Sequence, residues 1–322
     1  MADIELGKSA GGNGQDEAGK AVDVQSKVSR LGWRDALKKQ ASIEWDIFMA
    51  NRTWAWCLMG LMNQYFHSVW TNLVFYFYEV RPALRDLGFE MLPTIGEDYF
   101  WVSESVFYPL FIFGIASVFW PLVLCFTSKR PPFRPHNIVI LLKRLAIHLT
   151  ICQTLRALSF MFTILPGPAD HCQSETNENF DQPTTVWDVL FRMDASYGCG
   201  DLIFSSHTAF TLTFCLVITR YLPYRELIIF VWSVQAVLIF LIIASHKHYT
   251  VDLIVALYTV PMVWTLLQYK MPDPPAVMFY HTNRDGPSKS GTDSVVTPTT
   301  ALVDSDACGE KPVESDEEDT KN

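Results

Sequence analysis

The chain has few features of an ordinary soluble enzyme, and each shortage excludes something. Seven cysteines occur among its 322 residues, and no pair has zinc-finger spacing. Lysines and arginines form no continuous stripe and no aromatic platform interleaves them, which excludes nucleic acid as a partner. The N-terminal region is polar with no early apolar run, so membrane insertion is expected to depend on the first membrane helix rather than on a cleaved signal. No internal repeat stands out, which argues against an inverted-repeat transporter.

Apolar side chains are abundant but unevenly spread. From about Trp54 to Leu267 they dominate, whereas both ends of the chain are polar. The formal charge of −9 is largely a property of the C-terminal end, where Asp304 to Asp319 holds eight acidic residues and one lysine. Such a stretch buries too little apolar surface to offset the entropy of ordering. The expected organisation is a cytosolic N-terminal region over 1–49, partly disordered, a transmembrane catalytic domain over 50–270, and a disordered acidic cytosolic tail over 271–322. Val28 to Phe48 mixes Leu31, Trp33, Leu37, Ile43 and Trp45 with basic residues, as an interfacial helix or an ordinary juxtamembrane flank would.

A helix needs roughly 20 mostly apolar residues to cross the hydrocarbon. Six stretches approach this: about Trp54–Tyr76, Glu104–Phe126, Asn137–Thr163, Leu202–Thr219, Leu227–Ala244 and Val251–Leu267. The fold class read from them is an all-α polytopic membrane protein with six transmembrane helices. Lys129, Arg130, Arg134, Arg220, Arg225 and Lys270 flank the spans on the side of the tails, together with Arg34, Lys38, Lys39 and Arg52. The opposite loops are poorer in positive charge, so both termini are expected in the cytosol and loops 78–103, 164–201 and 245–250 in the lumen.

Ionisable residues inside spans are costly and usually functional. His207 falls one to two turns into the fourth span from its luminal end. His248 and Asp252 open the sixth, and Arg156 lies about two turns before the luminal end of the third. Taken singly, each has a bland explanation: an interfacial histidine, an ordinary i,i+4 pair, a snorkelling arginine. Their shared depth favours catalysis. With four-residue spacing on a helix, Asp252 can orient the His248 ring and support its protonated form. A supported imidazole can attack phosphorus and carry a phosphoryl group. His207 is then the proton carrier, acid for one leaving alkoxide and base for the incoming alcohol. Arg156 supplies fixed positive charge for phosphoryl oxygens. The scheme needs no cofactor and no metal, and the pair His246 and His248 lacks a third ligand nearby. Lys143 and Arg144 read as packing or interfacial residues.

The run Cys199-Gly-Asp-Leu-Ile-Phe-Ser-Ser-His207-Thr, followed by His248-Tyr-Thr-Val-Asp252, resembles the two signature motifs of the sphingomyelin synthase family. That family's active site is similar to those of type 2 phosphatidic acid phosphatases. Gln153-Thr-Leu-Arg156 with Leu165-Pro-Gly-Pro168 and Cys172, and Leu84-Arg-Asp86-Leu-Gly-Phe with Leu92-Pro93, resemble two further family motifs. The wording is most similar to the plant-type inositol phosphorylceramide synthases. The resemblance implies a six-helix fold with a lipid phosphatase/phosphotransferase-type active site, with His248 as nucleophile, Asp252 as its orienter and His207 as acid and base. It implies that ceramide accepts a headgroup from phosphatidylinositol or another glycerophospholipid, with diacylglycerol as the other product. It also implies a multi-pass Golgi protein among membrane lipids with a luminal site, the plasma membrane being the alternative location. Oligomeric state, a homo-oligomer included, is left open.

Candidate substrate-binding residues are Arg156, Asp201, Ser205, Tyr249 and Asp86. Glu90 and Glu104 are further luminal-side candidates for headgroup contact. Cys172 and Cys199 bracket the long luminal loop, and an oxidising lumen would let them pair. The phosphatases carry a Ser-Arg pair a little over one turn upstream of the catalytic histidine. Here that stretch is Leu241-Ile-Ile-Ala244, so the arginine's role passes to Arg156 or Lys247. Sphingomyelin synthesis, ceramide phosphoethanolamine synthesis and lipid phosphate hydrolysis remain the competing activities, and a channel or transporter the competing class.

Overall fold

The computed structural model describes residues 32–95, 100–126, 135–178, 180–192, 198–222 and 224–273. The acidic tail beyond Asp273 and most of the basic loop 128–136 lie outside these residues. So does most of the N-terminal region. Among the described residues the structure is helical with no strand.

The helices are α1 (Trp33–Ala50), α2 (Thr53–Tyr76), α3 (Leu87–Met91), α4 (Phe100–Val118), α5 (Trp120–Leu124), α6 (Ile138–Phe162), α7 (Val186–Phe191), α8 (Ser206–Tyr221), α9 (Arg225–Ala244) and α10 (Thr250–Lys270). A 3-10 turn covers Asp170–Gln173. Four of them, α4, α6, α9 and α10, are long and apolar enough to cross a membrane. Phe230, Val237 and Phe240 of α9 and Met262 and Leu266 of α10 are exposed, as side chains facing lipid would be.

Two expected spans fall outside those four, for a physical reason. The 16-residue α8 is short and rich in threonine. It packs against α4, α9 and α10, and Thr208, Thr211, Leu212, Thr213, Cys215 and Val217 are all buried. A helix surrounded by other helices needs no apolar coat of its own. Gly114 of α4 lies against Phe214 of α8, where a larger residue would strike the ring. The 24-residue α2 carries Asn63, Gln64, His67, Ser68, Thr71 and Asn72, and packs along α6.

The expected second span also differs from the one observed. It begins at Phe100, and a break at Phe119 separates it from the short α5, whose second residue is Pro121. Proline lacks the N–H that would continue the helix and fits best in a first turn, as Pro121 does, although α4 carries Pro109 in its interior.

At the end opposite His207 and His248, polar groups pair inside the bundle. Arg144 is fully buried and bonds the Tyr221 hydroxyl and the Met271 carbonyl, with Asp273 at 2.8 Å. The first tail residues are thus held rather than free. Glu44 of α1 accepts from the Val139 N–H at 3.1 Å and the Ile138 N–H at 3.4 Å. It therefore satisfies donors that the start of α6 leaves open, and it anchors α1 against the bundle.

Candidate active site

The lead-in to α8 determines where His207 sits. Cys172 and Cys199 are joined by a disulfide. Gly200 follows with φ of +94°, a left-handed conformation that glycine adopts without steric penalty. The Ser205 side chain then accepts from the Thr208 N–H and starts the helix at Ser206. Leu202 to Phe204, read from sequence as helical, belong to this turn. His207 consequently lies in the first turn of α8 and not one to two turns inside it.

His248 also lies outside the helix that its spacing predicts. The helix α10 begins at Thr250, so His248 precedes it and the pair is not a helical i,i+4 pair. Asp252 instead folds back over the helix start. Its Oδ2 accepts from the Tyr249 N–H at 2.9 Å and lies 3.5 Å from His248 Nδ1. Asp252 is completely buried, and its backbone carbonyl accepts from the Ser205 N–H at 3.4 Å, which ties the two motifs together.

These turns bring His207 and His248 to a ring separation of 6.5 Å. Each ring has its own carboxylate. His207 Nε2 lies 3.4 Å from Glu104 Oε1 on α4. The same oxygen is 2.5 Å from Lys247 Nζ, which also bonds the Phe100 carbonyl at 3.3 Å. Phe107 packs edge-to-face with the His207 ring, their centroids 4.6 Å apart. Both rings line a cavity of about 640 Å³ between α2, α4, α6, the start of α8 and the adjoining loops.

Arg156 lines the same cavity, but most of its fork holds the loop. Its Nε donates to the Phe204 carbonyl at 2.5 Å, and its Nη2 to the Asp201 carbonyl at 2.7 Å and carboxylate at 2.8 Å. Its Nη1 bonds His67 Nε2. Of five N–H donors, one is left for a ligand. Asp201 therefore serves Arg156 as well as the cavity wall.

The other candidates are placed differently. Ser205 is the buried cap of α8. The Tyr249 hydroxyl donates to the Pro166 carbonyl at 2.8 Å and accepts from the Leu84 N–H at 2.9 Å, joining three loops. Tyr78 does likewise, accepting from Gly167 N–H and donating to the Cys172 carbonyl. Burial pushes both phenols up, so they remain protonated donors. Glu90 pairs with Arg85 at the surface.

Asp86 accepts from the Gly88 and Thr250 N–H groups and the Thr250 hydroxyl, each at 2.7 Å, capping α3 and α10 together. Burial alone would raise its pKa, but the bonds from Thr250 and Gly88 outweigh this and hold it below the usual carboxylate value. A lowered pKa means the ionised form is favoured by folding. That stability is present above the ordinary carboxylate pKa and is lost as pH falls through the lowered one. Asp86→Ala is expected to cost about 1–2 kcal/mol, read as a lower unfolding temperature in detergent at neutral pH with the difference shrinking in acid. An unchanged temperature would show that the cap is unimportant.

Glu104 entered the sequence reading only as a headgroup candidate, and His67 not at all. The signal for His67 was the polar series Gln64, His67, Ser68 and Thr71, which repeats at helical spacing within an apolar helix. Among the described residues, His171, Cys172 and Cys199 form a cluster with metal-ligand spacing. With the two sulfurs bonded to each other, they are not available as thiolate ligands.

Residues 198–270, which hold both histidine motifs, match the family described as PAP2 superfamily C-terminal. A phosphatidylinositol:ceramide inositolphosphotransferase of Oryza sativa subsp. indica is 38% identical over 79% of this chain and 76% of its own length. The chain belongs to the phosphatidylinositol:ceramide inositolphosphotransferase family. Phosphatidylinositol:ceramide inositolphosphotransferase 3 of Arabidopsis thaliana is 37% identical over 78% of this chain and 85% of its own length. The sphingomyelin synthase-related 1 protein of Caenorhabditis elegans is more distant, 30% identical over 45% of this chain and 30% of its own. The family resemblance read from the motifs is borne out, and with it the expectation of a membrane-bound transferase. The stretch that matches the PAP2 C-terminal family includes the cavity's His207, Lys247 and His248.

Proposed function

We propose that this protein transfers phosphoinositol from phosphatidylinositol to ceramide, giving inositol phosphorylceramide and diacylglycerol. The observation that carries the chemistry is a pair of facing imidazoles, each backed by a carboxylate, on one cavity wall. Because the Asp252 carboxylate lies on the Nδ1 side of His248, 3.5 Å away, Nε2 is the nitrogen that attacks phosphorus. As the N–P bond forms, the bond to the diacylglycerol oxygen breaks and His207 supplies that oxygen's proton. In the return step His207 takes the proton of the ceramide hydroxyl, whose oxygen displaces His248. Glu104 stabilises the charged His207 ring, and the remaining Arg156 donor and Lys247 balance the phosphoryl charge.

Donor and acceptor are taken from the names of the relatives. The rest of the reading is a six-span bundle in which α2 and α8 join the four long apolar helices, with both termini cytosolic and the cavity luminal. The asymmetry of lysine and arginine between loops supports that orientation. The Golgi location rests on the family resemblance.

The test is purified full-length protein in detergent with labelled ceramide and, in parallel, phosphatidylinositol, phosphatidylcholine and phosphatidylethanolamine. Phosphatidylinositol is expected to give at least about tenfold more product than either other donor. Equal product from phosphatidylcholine would overturn the donor assignment. Phosphate released from phosphatidic acid at a comparable rate would favour a phosphatase.

A further inference from the structure

Besides His207 and His248, whose Nδ1 atoms also make no hydrogen bond, two residues of the cavity wall carry buried polar atoms without partners. Gln153 on α6 is buried, 4% exposed, and its Oε1 accepts no hydrogen bond. His67 on α2 is 7% exposed and bonds Arg156 through Nε2, leaving Nδ1 without a partner. A guanidinium only donates, so Nε2 must accept, and the neutral ring carries its proton on Nδ1. Away from the two reacting histidines, the wall residues therefore carry one orphan acceptor and one orphan donor. Buried groups of this kind are costly to leave unpaired, which points to a ligand that satisfies both.

Their depth identifies which part of a lipid they meet. The helices α2 and α6 run in parallel: Gly60 lies against Ala146, the Thr154 hydroxyl bonds Asn63, His67 meets Arg156, and Val74 packs with Phe160. The reacting histidines sit at the starts of α8 and α10, and Arg156 lies within two turns of the end of α6. Gln153 lies one turn further into the bundle, roughly 4.5 Å along the axis. A lipid whose phosphorus lies between His207 and His248 directs its headgroup outward and its backbone inward. Gln153 and His67 thus meet the backbone.

We propose that Gln153 and His67 read the amide of the sphingoid acceptor. The inference rests on ceramide being that acceptor. The ceramide amide nitrogen is on the carbon adjacent to the one bearing the reacting hydroxyl, so it stays close to the phosphoryl centre. Gln153 Oε1 accepts the amide N–H, and His67 Nδ1–H donates to the amide carbonyl. Diacylglycerol offers ester carbonyls at this place but no N–H. The pair therefore favours ceramide over the diacylglycerol just released, which otherwise returns to the phosphoryl-enzyme and regenerates donor.

The test compares two acceptors on the full chain in mixed micelles with phosphatidylinositol. Labelled ceramide gives inositol phosphorylceramide, and labelled diacylglycerol exchanges into phosphatidylinositol. In Gln153→Leu the ratio of kcat/KM for ceramide to that for diacylglycerol is expected to fall about tenfold or more, mainly through KM for ceramide. An N-methylated ceramide, which lacks the N–H, supplies a second arm. Wild type should discriminate against it about tenfold, and Gln153→Leu should not. Equal discrimination in both proteins would overturn the proposal, as would equal loss of both acceptors in the variant. Wild type that exchanges diacylglycerol but makes no ceramide product would first overturn ceramide as acceptor. Ceramide product with an unchanged Gln153→Leu ratio would overturn only the amide reading.

Discussion

His248→Ala is expected to lower headgroup transfer by about 10⁴- to 10⁶-fold, as losses of covalent nucleophiles do. No nearby group is placed to substitute for it. Lys247 is held by Glu104 and the Phe100 carbonyl, and Asp252 is wholly buried behind the ring. The substitution removes a buried ring, but Tyr249 and Asp86 still hold the start of α10, so the fold should survive. Two readouts separate chemistry from collapse. Product formation from phosphatidylinositol and ceramide should vanish while the unfolding temperature in detergent stays near wild type. Wild type quenched soon after mixing with donor alone should yield a phosphoinositol adduct on the peptide containing residue 248. Undiminished product from the variant would sink the nucleophile assignment, and an adduct on His207 would reverse the two roles.

The parts of the site that sequence made legible are those fixed by local pattern. The histidines and Asp252 stand out because polar residues at the ends of apolar runs are rare, and Arg156 because a charge inside a span demands a partner. The errors were local as well. Leu202 to Phe204 are apolar and read as the start of a span, but Gly200 and Ser205 impose a turn that delays the helix to Ser206. His248 to Asp252 has helical spacing, yet Asp252 reaches back to Tyr249 N–H and His248 stays outside the helix. What sequence could not supply were the partners that come from other helices. Glu104 is separated from His207 by about a hundred residues, and only the packing of α4 on α8 makes them neighbours. Likewise, α8 reads as a weak span because its buried threonines are satisfied by its own backbone, as in the Thr213 bond to the Ala209 carbonyl at 2.7 Å.

Arg156→Lys is expected to cost about 10²- to 10³-fold in activity, although it keeps the charge. Lysine offers a point charge and three donors, whereas Arg156 simultaneously meets the Phe204 carbonyl, the Asp201 carbonyl and carboxylate, and His67. A lysine ammonium cannot span those positions. The loop from Asp201 to Phe204 would lose its anchor and His207 its fixed approach to His248. Arg156 would then act in two ways, through the loop it holds and through the one donor it turns to phosphate. Asp201→Asn separates them. It removes the ion pair but keeps a neutral acceptor for Nη2, and it unburdens the guanidinium of a competing charge. If the loop is what matters, Asp201→Asn should lose activity in proportion to its loss of thermal stability. If the phosphate contact dominates, Asp201→Asn should retain most activity while Arg156→Lys does not, because only the latter changes what faces the phosphoryl group. Arg156→Lys within about twofold of wild type would remove this residue from both roles and leave Lys247 as the cation that balances phosphoryl charge.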